Sequence, residues 1–125
     1  MKKDITFRQG KKEYTISFNI RSLAELERSI GRSLVFIYFS GPAGMIRQCD
    51  ITFTANALKY GLKDIGDKDP YDVIDEFCDA GGILDTLNGY ILEAINETGF
   101  FIKAKKAAEE PEEPEEPEKS KKVTE

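Results

Sequence analysis

The sequence predicts an α+β fold: a β-hairpin at the N-terminus, then a mostly helical small domain, then a disordered acidic C-terminal arm. Three observations predict it. Apolar and polar residues alternate on both sides of a glycine turn within residues 5–18, which is the period of a strand with one buried face. From about residue 22 onward apolar residues recur at spacings of three and four, punctuated by cap residues and glycines. Near the end, Glu-Glu-Pro repeats without interruption from Glu109 to Pro117. Proline at every third position removes backbone donors and breaks helix, and paired glutamates repel one another. The chain therefore divides into a domain over 1–102 and an arm over 103–125.

The hairpin comes first. Ile5 and Phe7 alternate with Asp4, Thr6 and Arg8, the run Gln9-Gly10-Lys11-Lys12 makes the turn, and Tyr14, Ile16 and Phe18 alternate on the return. An isolated hairpin is marginal, so this apolar face needs a helical layer over it. Ser22 with Glu25 reads as a capping box, Leu23, Leu26 and Ile30 follow on one face, and Gly31 stops the helix. Residues 33–39 are ambiguous: Val35-Phe36-Ile37-Tyr38-Phe39 favours strand by propensity, yet Ser33 can cap a short helix. Such an apolar run is either core on all sides or an exposed patch awaiting a partner. A Gly41-Pro42-Ala43-Gly44 loop ends it.

Thr52 or Thr54 caps the next helix, in which Ala55, Leu58, Leu62 and Ile65 share a face before Gly66. Asp69-Pro70 is a sharp start, a cap followed by proline at the first helical position, and Val73, Ile74, Phe77 and Cys78 form the stripe that follows. Gly81-Gly82 ends it. The last helix spans about Ile83 to Thr98, with Gly89 in its interior suggesting close packing, and Gly99 closing it before Phe100 and Phe101.

Composition narrows the function. A net charge of −5 and no basic face make phosphate-backbone binding a poor fit, so no nucleic acid is expected. No run approaches the ~18 apolar residues that a membrane span needs, and the first residues carry no hydrophobic signal region, so the expectation is cytoplasmic with no membrane. Cys49 and Cys78 form no C-x-x-C pair and read as buried free thiols. The chain has no histidine, which rules out a Ser-His or Cys-His nucleophile and leaves a zinc site awkward to build. No metal or cofactor is expected. Asp72 with Asp75 or Glu76 is the remaining acid–base pattern, but these residues read better as the acidic first turn and polar face of a helix. Neither glycine-bearing turn matches a phosphate-binding loop. The sequence therefore points to a protein that is not an enzyme.

Tyr14-Thr15-Ile16-Ser17-Phe18 followed by Ser22 to Leu34 (Ser-Leu-Ala-Glu-Leu-Glu-Arg-Ser-Ile-Gly-Arg-Ser-Leu) resembles the tail tube assembly chaperones of long-tailed bacteriophages and gene transfer agents. In that family a short strand leads into a helix reading approximately Leu-Ala-x-Leu-Glu-x-x-x-Gly-x-Ser-Leu. Ala57-Leu58-Lys59-Tyr60-Gly61-Leu62 is similar to its next helix, and Asp69-Pro70-Tyr71-Asp72-Val73 and Gly81-Gly82 match the later helix start and break. The resemblance covers about residues 5–100 and leaves the arm outside. It implies a non-enzymatic protein that binds the tape measure protein, keeps it soluble, recruits tail tube subunits, and is absent from the mature virion. It also implies a longer product made by frameshift, for which Lys105-Lys106 and Lys121-Lys122 offer A-rich codons. A permanent structural subunit of a phage tail or connector is the alternative. Partner-binding candidates are Phe36, Tyr38 and Phe39 in the apolar run and Phe100 and Phe101 beside the arm, each of which can equally be core. The arm reads as a solubilising tail or as a tether. A homo-oligomer is compatible with everything above.

Overall fold

The structure, a computed structural model, describes residues 4–99, the side chains of Pro42 and Ile46 excepted. The arm, Phe100 and Phe101 lie outside the described residues. Strands β1 (Ile5–Gln9) and β2 (Lys12–Ile16) form an antiparallel hairpin, followed by helices α1 (Ile20–Ile30), α2 (Leu34–Tyr38), α3 (Gly41–Gln48), α4 (Ile51–Gly61), α5 (Pro70–Asp79) and α6 (Leu84–Asn96). This is the α+β order that the alternation and the helical spacings predict.

The hairpin register is Ile5↔Ile16, Phe7↔Tyr14 and Gln9↔Lys12, closed by Gly10-Lys11 with Gly10 at φ 64°. A positive φ at the first turn position is what a tight two-residue hairpin requires, and glycine supplies it without a Cβ clash. Ile5, Phe7, Tyr14 and Ile16 are all buried on one face, beneath α5 and α6. Phe7 stacks on Tyr90 of α6 with ring centroids 4.0 Å apart and meets Phe77 of α5 edge-on. At the turn, the Gln9 side-chain amide donates to the Ala80 carbonyl (3.0 Å), which ties the hairpin tip to the end of α5.

The far edge of β2 is covered by the chain leaving α4. Leu62 bridges Ile16, Ser17 N donates to Gly61 O and Lys63 N donates to Thr15 O, both at 2.9 Å. This overturns the expectation of a helix running on to Ile65. The β2 backbone groups need partners, and the extended Leu62-Lys63 segment satisfies them at the expense of one more helical turn.

Several boundaries differ from the sequence reading for similar local reasons. Asn19, not Ser22, caps α1: its side chain accepts from Ser22 N (2.8 Å) and Ser22 Oγ accepts from Asn19 N (2.9 Å), so the box closes three residues earlier. Glu25 pairs instead with Arg28. Asp50, not Thr52 or Thr54, caps α4 by accepting from Phe53 N at 2.9 Å. The Gly41–Gly44 loop is in fact the first turn of α3, which carries proline at a first-turn position where the missing N–H costs nothing. Asp69 does cap α5, accepting from Tyr71 N, and Gly31 (φ 69°) does stop α1.

The core joins Phe53 and Leu58 of α4, Leu23 and Leu26 of α1, Val73 and Phe77 of α5, and Leu87, Ile91 and Ile95 of α6, all nearly inaccessible. One polar pair lies within it. The single Thr54 hydroxyl proton is shared between Asn88 Oδ1 (2.5 Å) and Asp50 O (3.1 Å), and Asn88 Nδ2 donates to Cys49 O (3.1 Å). Thr54 is buried because it lies on the inner face of α4, and Asn88 supplies the partner that such burial demands. Cys78 departs from expectation: it is exposed at the end of α5, while Cys49 is buried. Gly89 also departs, since a Cβ there would meet no atom within 4 Å.

Candidate functional site

The α2 segment answers the question that residues 33–39 left open. Ser33 wins over strand propensity: its side chain accepts from Phe36 N (3.2 Å), and Leu34 N donates to Glu27 Oε2 (2.9 Å), so two of the first-turn donors are satisfied by side chains. A helix cannot turn an unbroken apolar run inward on every side, because its side chains radiate at 3.6 per turn. Leu34 and Ile37 take the inner face at 2% and 1% exposure. Val35, Phe36 and Phe39 are left in solvent at 39%, 61% and 55%. The run is therefore both core and patch, divided by the helical period.

Tyr38 is half-buried, its ring edge-on to Phe39 at 5.7 Å. Among the sequence candidates the structure thus brings Phe36 and Phe39 to one exposed face, flanks them with Tyr38, and adds Val35, which the sequence reading had not chosen. Val35 and Phe36 on α2 and Phe39 at its C-cap are three exposed apolar groups at the spacing of one helical face, unlike Ile20, Ile51, Tyr71 and Ile83, which are exposed at separate element ends.

What holds this face out is a short excursion of the chain. Ser40 Oγ donates to Ile37 O (2.6 Å) and closes α2, and α3, whose first turn begins at Ser40, packs back against it. At the base, Arg32 Nη1 donates to Gln48 O (3.0 Å) and Gln48 Oε1 (2.7 Å), and Arg32 Nη2 lies 3.6 Å from Asp50 Oδ1. One guanidinium therefore joins the point where the chain enters α2 to the point where it leaves α3. Sequence reasoning missed this clamp. The available signal was an arginine just past a glycine helix stop, which is uninformative without knowing that α3 exists.

The acid–base candidates have other uses. Glu76 accepts from Lys68 and from Lys12 (3.3 Å), bridging the hairpin, the α4–α5 connection and α5. These lysines hold its carboxyl below the ordinary 4.5. A carboxylate so held remains charged and makes a poor proton donor. Asp72 and Asp75 are exposed on α5. The bridge contributes stability above the unfolded value and loses it as pH falls through the lower folded value. Glu76→Gln is therefore expected to lower the urea midpoint at pH 7. The gap from the parent protein should shrink as pH drops below about 4.5, and high salt should narrow it too. A gap that stays constant on acidification would show that the bridge contributes nothing.

Among the described residues no group of three or more Cys, Asp or Glu side chains is placed to hold a metal ion, and no helix is long and apolar enough to cross a membrane. Comparison with known proteins finds no family model, no curated sequence and no solved structure that matches this chain.

Proposed function

We propose that the protein is a phage or prophage tail assembly chaperone. It acts by laying the apolar face of α2 against amphipathic helices of the tape measure protein, keeps that protein from aggregating, and recruits tail tube subunits. The observation that carries this reading is the exposed Val35–Phe36–Phe39 face, held out by the α2–α3 excursion. Two anchors one turn apart, at Phe36 and Phe39, suit the i, i+3 and i, i+4 spacing of side chains on a partner helix. The ordered resemblance of residues 5–100 to tail tube assembly chaperones supports the same reading, as does the acidic Glu-Glu-Pro run, whose charge favours a dispersed complex. In this reading no bond is made or broken, and the protein leaves before the particle is complete.

Co-expression with a tape measure protein from the same phage or prophage is the test. The expected result is a complex in the supernatant and a tape measure protein that aggregates alone. Phe36→Asp with Phe39→Asp should abolish rescue while leaving thermal stability within about 0.5 kcal/mol, since both side chains are exposed. An unchanged tape measure solubility with the parent protein would overturn the proposal. Stoichiometric presence in purified particles would favour a built-in tail or connector subunit instead.

A further inference from the structure

Among the described residues the hairpin has one covered edge, that of β2, and none of them pairs with the outer edge of β1. Lys63 N donates to Thr15 O on the outer side of β2, so the backbone groups of Thr15 face away from β1. Thr6 is paired with Thr15, and in an antiparallel ladder both members of such a pair point their N–H and C=O outward. The close approach of the two hydroxyls, 3.1 Å, fits this wider-bonded but closer-packed pair. Alternation then directs Arg8 and Glu13 outward as well. Neither Thr6 nor Arg8 has a backbone partner on that side among the described residues. Natural edge strands are commonly protected by proline, a bulge or an inward charge, and β1 has none of these over its unbroken register.

We infer that β1 pairs antiparallel with β1 of a second copy of this chain, giving a two-fold dimer with a continuous four-stranded sheet. The sequence of the strand selects this occupant. The outer face reads Asp4-Thr6-Arg8, and reversal about Thr6 sets Thr6 against Thr6 of the second copy and Asp4 against Arg8 of the second copy, twice over. That arrangement places opposite charges opposite each other at both ends of a two-fold pairing. On the inner face the same register sets Ile5 against Phe7 of the second copy, apolar against apolar, continuing the surface that α6 covers. Within the chain Asp4 is ion-paired with Lys63 at 3.0 Å, and the guanidinium of Arg8 donates to the Lys11 carbonyl at 3.3 Å. The inference uses a surface remote in sequence from α2 and does not depend on the tape measure reading.

The experiment is the mass of the full chain by light scattering across a concentration series. The expected result is a mass rising toward twice that of one chain. Thr6→Pro removes an outward N–H without touching the hairpin ladder, which is where proline is tolerated, and should halve the mass at the top concentration. Arg8→Asp sets Asp4 against an aspartate and should do the same, whereas Asp4→Arg with Arg8→Asp restores opposite charges and should recover the dimer. Far-ultraviolet circular dichroism checks that each variant is folded, and the charge-reversal pair keeps the test open if the proline variant is not. A parent chain that is monomeric throughout, or a dimer indifferent to both Thr6→Pro and Arg8→Asp, overturns the inference.

Discussion

Gly61→Ala is expected to destabilise the protein by about 2–3 kcal/mol, while the same substitution at Gly89 is expected to stabilise it by about 1 kcal/mol. Both glycines are helical, and neither adopts a positive φ. Their surroundings are opposite. A Cβ on Gly61 would overlap the Phe18 ring, with Cε1 at 2.6 Å and Cζ closer still. Phe18 is only 2% exposed, so its ring has nowhere to swing. The backbones cannot separate either, because Ser17 N is hydrogen-bonded to Gly61 O at that point. Gly89 faces solvent, and a methyl there would gain helix propensity without any contact to disturb. Denaturant midpoints of the two variants should move in opposite directions from the parent. If Gly61→Ala were as stable as the parent, the apposition of α4 and the end of β2 would be looser than described.

A thiol-reactive probe at pH 8 should modify one cysteine at least about a thousandfold faster than the other. Cys78 is exposed at the end of α5, whereas Cys49 is buried between α3 and α4. Burial pushes the Cys49 thiol up from 9.0 to about 11, with Arg32 opposing the shift and Asp50 adding to it. It therefore stays protonated, and it reacts only through opening of the structure around it. Cys78→Ser should remove the fast phase entirely. Arg32→Ala should accelerate the slow phase, since the Arg32 contacts with Gln48 and Asp50 span Cys49 from both sides. The folded value lies above the unfolded one, so the contribution of Cys49 to stability is complete below about pH 9 and is lost as pH rises through about 11. Equal rates for the two thiols would mean that the base of the α2–α3 excursion is open in solution.

Elements whose signals are local were legible in the sequence. The hairpin, the Asp69-Pro70 start of α5, the Gly31 stop and the periodic stripe of α6 all depend on residues adjacent in the chain, and they appear where the pattern puts them. Boundaries decided by tertiary demand were not. The end of α4 depends on what β2 needs at Ser17 and Thr15, and no window around Leu62 contains that information. The cap of α1 was misread because Asn19 and Ser22 can each play either role, and only the geometry chooses. For the candidate site, Phe36 and Phe39 were legible as candidates from composition alone. Their exposure followed from the choice of helix over strand, a choice made by the Ser33 hydroxyl and the Glu27 carboxylate together. Arg32 was invisible because one partner, Gln48, belongs to a helix that the Gly-Pro signal disguised as a loop, and the other, Asp50, is the misread cap of the next.

The Arg32 clamp has an evolutionary corollary. Residues 33–49 depart from the body and return to it at neighbouring points that the Arg32 side chain joins, with Glu27 holding the start of the segment and Asn88 its end. Such a detour can be lengthened, shortened or exchanged for another while the strand pair and the remaining helices keep their places. The inward anchors Leu34, Ile37 and Cys49 are what any replacement must match. The surface offered to other molecules can therefore diversify faster than the scaffold that bears it, and chains with this architecture should vary most between Ser33 and Cys49.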